Sequence, residues 1–267
     1  MIVAVAALES ELAGIRRQMK LACSYLVGQM RIAEGWLAGR ECVLAQSGMG
    51  RERAEHALGF VLNRYRPSAV VALGYSGALA AKLRAGDLVV CSQVHALVAM
   101  PTPLHPMPSL GLLACDHHLV ARALHVELSP SWTTERWLPK LRPERPVGGG
   151  CLTLPYLASY RQMKEWLSWN FSGAVVDMES FWYGCLAQQA RVPFLAVRAI
   201  SDPLTESLPP LEGLIDDSGH THTSALSRYL LHHPLACGSL MRLGLHAHRA
   251  QQSLTVFFSK FVKEMNL

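Results

Sequence analysis

Five carboxylates in this chain stand at the edges of apolar runs. AALESEL (residues 6–12) carries Glu9 and Glu11, VVDMES (Val175 to Ser180) carries Asp177 and Glu179, and AVRAISDP (196–203) ends in Asp202. An ionised oxygen is costly where a buried strand ends, so such positions need a reason. Proton transfer is one: partial burial raises a carboxyl pKa and lets the group keep a proton near neutral pH. Plainer roles exist for each residue. Glu9 and Glu11 fit the acid-rich first turn of a helix, and Asp202 before Pro203 fits a helix cap.

The elements that must hold these groups alternate. IVAVAAL at the start is a continuous apolar run, the pattern of a strand buried on both faces. ESELAGIRRQMK reads as a helix, with acids first and cations later, and residues 29–46 read as hairpin strands around Gly35 and Gly39. SGMG (Ser47 to Gly50) leads into the helix RERAEHALGFVLNRY, and SAVVALG is a strand running into the expected turn GYSGALA. GDLVVCSQV is a further strand, followed by a proline-rich loop; residues 116–150 read as peripheral helix and loop. CLTL, GAVVDM and PFLAVRAIS are strands, LASYRQMKEWLSW and SFWYGCLAQQA helices, and two more helices are expected near 224–250 and 253–265. The sum is one α/β domain with a mixed, mostly parallel central sheet flanked by helices, its core in 1–205 and a loop-and-helix extension in 206–267. In such sheets ligands collect at the carboxyl ends of strands, where SGMG, GYSG, Asp177–Glu179 and Ser201–Asp202 all fall. Neither GxGxxG nor GxxxxGK[ST] occurs, so no dinucleotide or P-loop site is supported.

Composition narrows the class. Half of the 267 residues are hydrophobic and 17% charged, enough for a large core, and a net charge of +5 falls short of a nucleic-acid binder. Seven cysteines without a CxxC pair suggest reduced thiols in a cytoplasmic protein. MIVAVAAL lacks the basic start of a signal peptide. Residues 88–115 carry no Asp, Glu, Lys or Arg, but Pro101, Pro103, Pro106 and Pro108 interrupt them, so no membrane span is expected. The HxH pairs at 220–222 and 246–248 lack convincing partners, and neither a metal site nor a cofactor is expected.

Taken together, AALESEL, SGMG, GYSGALA, VVDMES and RAISDP resemble the nucleoside phosphorylase and nucleosidase superfamily (purine and uridine phosphorylase family 1) over about the first 205 residues. The first part is similar to 5'-methylthioadenosine/S-adenosylhomocysteine nucleosidases. VDMES, RAISDP, LPPLEG and the helical tail look more like hopanoid-associated nucleoside phosphorylases, thought to remove adenine from adenosylhopane. The resemblance implies that Asp202 shares a proton with purine N7 and that Ser201 orients it. It also implies that Glu11 activates water, Glu179 takes both ribose hydroxyls, and Met178 lies under the sugar. Tyr156, which lies 23 residues before Glu179, would be the wall of the base, although TLPYLAS departs from the family's pattern. Ser76 matches a turn close to ribose and base.

Two questions stay open at this level. Phosphate would need arginines to clamp it, and only Arg51 and Arg53 after SGMG offer themselves, so hydrolysis is favoured over phosphorolysis. The other is whether the fold turns substrate over at all; a nucleoside-binding protein would need Glu179 and the base wall but not Glu11 and Asp202. The apolar loop at 96–113 could receive a greasy 5' substituent. The tail LTVFFSKFVKEMNL places Leu254, Phe257, Phe258, Phe261, Val262 and Met265 on one helical face, which fits packing against the body or a weak contact with the inner membrane surface. The expected partners are a nucleoside, lipid-linked in one version, and further copies of the chain in a homodimer or larger homo-oligomer, with no nucleic acid.

Overall fold

The structure, a computed structural model, describes residues 1–97, 109–128, 145–209 and 236–265. Strand β1 (Ile2–Ala6) is wholly buried and runs parallel to β4 (Arg40–Gln46) on one side and β5 (Ala69–Ala78) on the other. Its uniformly apolar sequence is thus explained by helices covering both faces. Between β1 and β4 come α1 (Glu9–Gln18), β2 (Lys20–Val27) and β3 (Met30–Leu37), the last two forming an antiparallel wing on β4. Helix α2 (Arg51–Tyr65) returns the chain to β5.

The second half builds β6 (Leu88–Leu97), β7 (Ser109–Ala114), α3 (His117–His125), β8 (Val147–Thr153), α4 (Arg161–Asn170), β9 (Val175–Asp177), α5 (Ser180–Gln189), β10 (Phe194–Asp202) and α6 (Ala236–Glu264). Sheet order is β10-β6-β8-β9-β5-β1-β4-β3-β2, and β10 also pairs with β5. The circuit β5–β9–β8–β6–β10 therefore closes on itself, with β1 to β4 attached to β5 as an open wing. One apolar layer under α2 and α5 holds Val3, Val70, Leu58 and Tyr183, and the layer on the opposite face holds Ile2, Val71, Ile15 and Phe257.

Several expectations need correction. Helix α1 ends at Gln18, and Lys20–Val27 form the edge strand β2, which the sequence reading passed over because the strand is mostly exposed and lacks a buried stripe. GYSGA is not a turn but the end of β5, and GGG (148–150) lies inside β8 rather than in a loop. A Cβ at Gly149 would come within 2.6 Å of that of Ala174, so the glycine marks a close approach and not a turn. Ser109–Ala114 pair with β6 as β7, which shortens the expected loop; the rest of that loop (98–108) lies outside the described residues. Residues 157–160 precede α4 instead of belonging to it. The sheet is mixed, with antiparallel pairings as numerous as parallel ones among the described strands.

The C-terminal helix is continuous through Gln251 and Gln252, where a break was expected, while 224–235 and the HTH at 220–222 lie outside the described residues. Its apolar face, Leu254, Phe257, Phe258, Phe261 and Val262, is buried against the body, with Met265 packed beside it. That face is thereby used in packing, the first of the two roles considered for it. No described helix is long and apolar enough to cross a membrane.

Candidate active site

Strand ends β1, β5, β9 and β10 bring the acids to one side of the sheet. Glu11 sits in the first turn of α1 and is 3% exposed. Its Oε2 accepts from Leu8 N–H at 2.7 Å and its Oε1 from Tyr75 N–H at 2.7 Å, so the carboxylate bridges the start of α1 to β5. Burial pushes its pKa up to about 7, although both amides and the nearby Arg198 pull the other way.

Glu179 caps β9 and opens α5. Gly50 N–H, at the turn with φ 89° that starts α2, donates to its Oε1 at 2.8 Å. The backbone donor of SGMG is thus taken up by the protein's own carboxyl group. Burial, then the charge of Asp177, raises Glu179 to about 8, and Glu11 adds to the repulsion.

The cation between them is Arg198 in β10, 1% exposed. Its Nη2 meets Asp177 Oδ2 at 2.8 Å and Ser180 Oγ at 2.7 Å, and Nε also donates to Ser180 at 2.9 Å. Asp177 in turn accepts from Thr153 Oγ1 at 2.7 Å and from Ser180 N–H at 3.0 Å. A methyl at Gly74 would overlap Arg198 Nη1 and lie 3.1 Å from Glu11 Oε1, so a glycine at this point of β5 is required by the arginine. Arg198 was not singled out by sequence reasoning, although it stands in RAISDP. The signal was available: an arginine in the middle of a buried apolar strand needs acidic partners.

Asp202 ends β10 next to Gly77 of β5. Its Oδ1 accepts from Ser201 Oγ at 2.8 Å and its Oδ2 from Lys164 Nζ at 2.8 Å. Burial raises its pKa, and this outweighs the lysine and the serine, which lower it. Lys164 was also missed, because RQMKEWLSW reads as an amphipathic helix with its lysine on the wet side; here the lysine is fully buried. A small cleft beside Asp202, of about 20 Å³, is lined by Gly77, Tyr156, Leu157, Ala158, Val176, Asp177 and Met178.

The expected residues are thus largely gathered. Asp202, Met178 and Tyr156 line one cleft, Ser201 and Ser76 adjoin it at the β10–β5 pairing, and Glu179 follows Met178. Ser76 Oγ and Tyr156 OH are buried without a hydrogen-bond partner among the described residues, as is Trp182 Nε1. Arg51 is set apart: it is exposed, its guanidinium lies 4.1 Å from the centre of the Trp182 ring, and its Nε bonds Glu55 at 2.9 Å.

Residues 1–228 match the phosphorylase superfamily. The chain belongs to that superfamily. Similar relatives include 5'-methylthioadenosine/S-adenosylhomocysteine nucleosidases of Aeromonas salmonicida, 25% identical over 74% of this chain and 84% of the relative, and of Bacillus cereus, 27% identical over 75% and 85%. Among solved structures, the futalosine hydrolase of Helicobacter pylori superposes with a TM-score of 0.71 at 17% identity, covering 98% of this chain and 97% of its own. The 5'-methylthioadenosine/S-adenosylhomocysteine nucleosidase of Neisseria meningitidis in complex with methylthio-immucillin-A gives 0.69 at 19%, covering 98% of both chains. These likenesses agree with the α/β superfamily fold and with the expectation of an enzyme.

Proposed function

We propose that the chain hydrolyses the N-glycosidic bond of a 5'-substituted adenosine and releases adenine. The observation that carries this reading is the presence of two buried carboxyls, Glu11 held by two backbone amides beside Arg198 and Asp202 at the cleft with Tyr156 and Met178. Both have raised pKa values, and they suit opposite jobs. Glu11, poised near 7, takes a proton from water as the water adds to the sugar's anomeric carbon. Asp202, in its neutral form, gives a proton to the purine as the C–N bond breaks and its electron pair passes to the base. Glu179, anchored through Gly50, accepts from the ribose hydroxyls, and Met178 lies under the sugar. The two orphan hydroxyls, Ser76 Oγ and Tyr156 OH, stand at this site and gain partners from substrate.

Water is favoured over phosphate by electrostatics. Arg198 is already shared among three acids, and Arg51 is engaged with Trp182 and Glu55, so no described arginine is placed to clamp a dianion next to Glu11. The nucleosidase names of the sequence relatives support the same reaction. Two substrates lead: a methylthioadenosine-like compound and a lipid nucleoside of the adenosylhopane type, the latter with a peripheral inner-membrane location. A homodimer or larger assembly is the proposed working form. Adenine release from methylthioadenosine and from a long-chain 5'-alkyl adenosine, each with and without phosphate, tests the reading. Release from either without phosphate supports hydrolysis, strict phosphate dependence makes the chain a phosphorylase, and binding without release makes it a nucleoside-binding protein.

A further inference from the structure

Lys164 occupies the buried face of α4, one turn before Leu167, in a layer that otherwise holds Leu79, Leu152, Leu154 and Val176. A leucine or methionine would pack there without a charge to desolvate, so packing does not account for the ammonium. The ammonium makes two contacts at hydrogen-bond distance, Asp202 Oδ2 at 2.8 Å and Pro203 O at 2.7 Å. It does not line the cleft beside Asp202; its stem runs behind Gly77, where a Cβ would lie 3.3 Å from Lys164 Cδ. Neighbouring bonds fix the same unit: Arg161 N–H donates to Ser207 Oγ at 3.0 Å, and Leu208 N–H to Ser159 O at 2.8 Å. Helix α4 and the segment after β10 therefore move, if at all, together with the carboxyl between them.

We propose that Lys164 is a positioning residue for the proton donor, holding Asp202 from behind so that its proton faces the leaving base and the carboxylate left after transfer is neutralised. This rests on the reading of Asp202 given above. In the step, the Asp202 O–H bond breaks, an N–H bond forms on the base, and the glycosidic electron pair goes to the base. Lys164 remains an ammonium throughout, and with the Ser201 hydroxyl it meets the new carboxylate. Burial alone would make Asp202 too weak an acid, and the lysine offsets part of that. Among the described residues, the other charged or titratable groups facing Asp202 are Glu206 from the following segment, Asp177 from β9 and Tyr156 from the turn before α4. None of these is a cation.

The test is the pH dependence of adenine release from methylthioadenosine or the long-chain 5'-alkyl adenosine by the full chain and its Lys164→Met, Lys164→Arg and Asp202→Asn variants. Activity that needs protonated Asp202 falls as pH rises through its pKa. Removing the ammonium raises that pKa, so Lys164→Met is expected to move the alkaline limb upward by about 1–3 pH units. The same variant should lower kcat by about tenfold or more with KM little changed, and Lys164→Arg should restore the limb. An unmoved limb in Lys164→Met, whether or not its melting temperature falls, overturns the proposal. If Asp202→Asn keeps wild-type kcat, the reading of Asp202 itself fails and takes the proposal with it. A variant that does not fold is replaced by the ¹⁵N resonance of Lys164 Nζ in the wild-type chain. An inflection that coincides with the alkaline limb supports the pairing, and a flat titration overturns it.

Discussion

The two ends of the site solve the same problem with different arithmetic. At one end Asp177, Glu179 and Glu11 surround a single guanidinium, that of Arg198, whereas at the other Asp202 faces a single ammonium, that of Lys164. With three acids and one cation, full ionisation would leave two uncompensated negative charges in a buried space. Burial is the first cause of the raised values, about 7 on Glu11 and about 8 on Glu179, and on Glu179 the charge of Asp177 comes next. A one-to-one pair leaves no such surplus, and the raised pKa of Asp202 comes from burial against the pull of its partner. Burial raises all three of Glu11, Glu179 and Asp202, and what differs between the two ends is how many acids share the one cation.

The sharpest way to break this comparison is to remove one proton-transfer group from each end. Asp202→Asn and Glu11→Gln are each expected to lower kcat by about 10²–10⁴, with binding of a non-hydrolysable substrate analogue retained by calorimetry. Equal loss of binding would mean that these acids hold substrate and do no proton transfer. Next comes Arg198→Met, which leaves three buried carboxylates without their cation. It should cost about 3–5 kcal/mol of stability in urea unfolding, and a loss below 1 kcal/mol would show that the acids are neutral in the wild-type chain.

A smaller effect concerns pH. Glu11 and Glu179 have folded pKa values above their ordinary 4.5, so they bind protons more tightly folded than unfolded. The stability this brings is complete below about 4.5 and is lost as pH rises through 7 and 8. Unliganded protein should therefore lose stability steadily between pH 5 and pH 9 in urea unfolding, with a slope that flattens in Glu179→Gln. Over the same range kcat/KM should rise through pH 7 as Glu11 ionises. The smallest change is Arg51→Ala, expected to cost about 0.5–1 kcal/mol through the lost contact with Trp182. The same variant should leave adenine release unaltered at any phosphate concentration; a loss seen only with phosphate would return Arg51 to the site.

Much of the site could be read because its acids interrupt apolar runs, and an interruption is visible in one dimension. Glu11, Glu179 and Asp202 are conspicuous for that reason, as were the buried strands β1, β5 and β10. The cations were harder. Arg198 looks like one more strand residue, and Lys164 like one more helix surface residue, until the fold shows what they face. Glycines misled in a consistent way. Gly74, Gly77 and Gly149 suggest turns, yet they lie in strands whose neighbours come too close for a side chain, and closeness of that kind is a property of the folded sheet. Strand β2 escaped notice because an edge exposed on most of its length carries no periodic stripe. The break assumed in the last helix had no proline or glycine behind it, and the helix passes through.

The closed circuit of strands also has a consequence for the order in which the molecule assembles. β5 emerges early, with β1 and the wing able to pair beside it, but the edge it keeps for β10 stays empty until Val70 can meet Phe194. The strand that completes the circuit is the one that carries Arg198 and Asp202. Pairing over so long a separation is slow and leaves an apolar edge exposed meanwhile. The chain must therefore wait longest, and at greatest risk of sticking to its neighbours, for the segment on which its proposed chemistry depends.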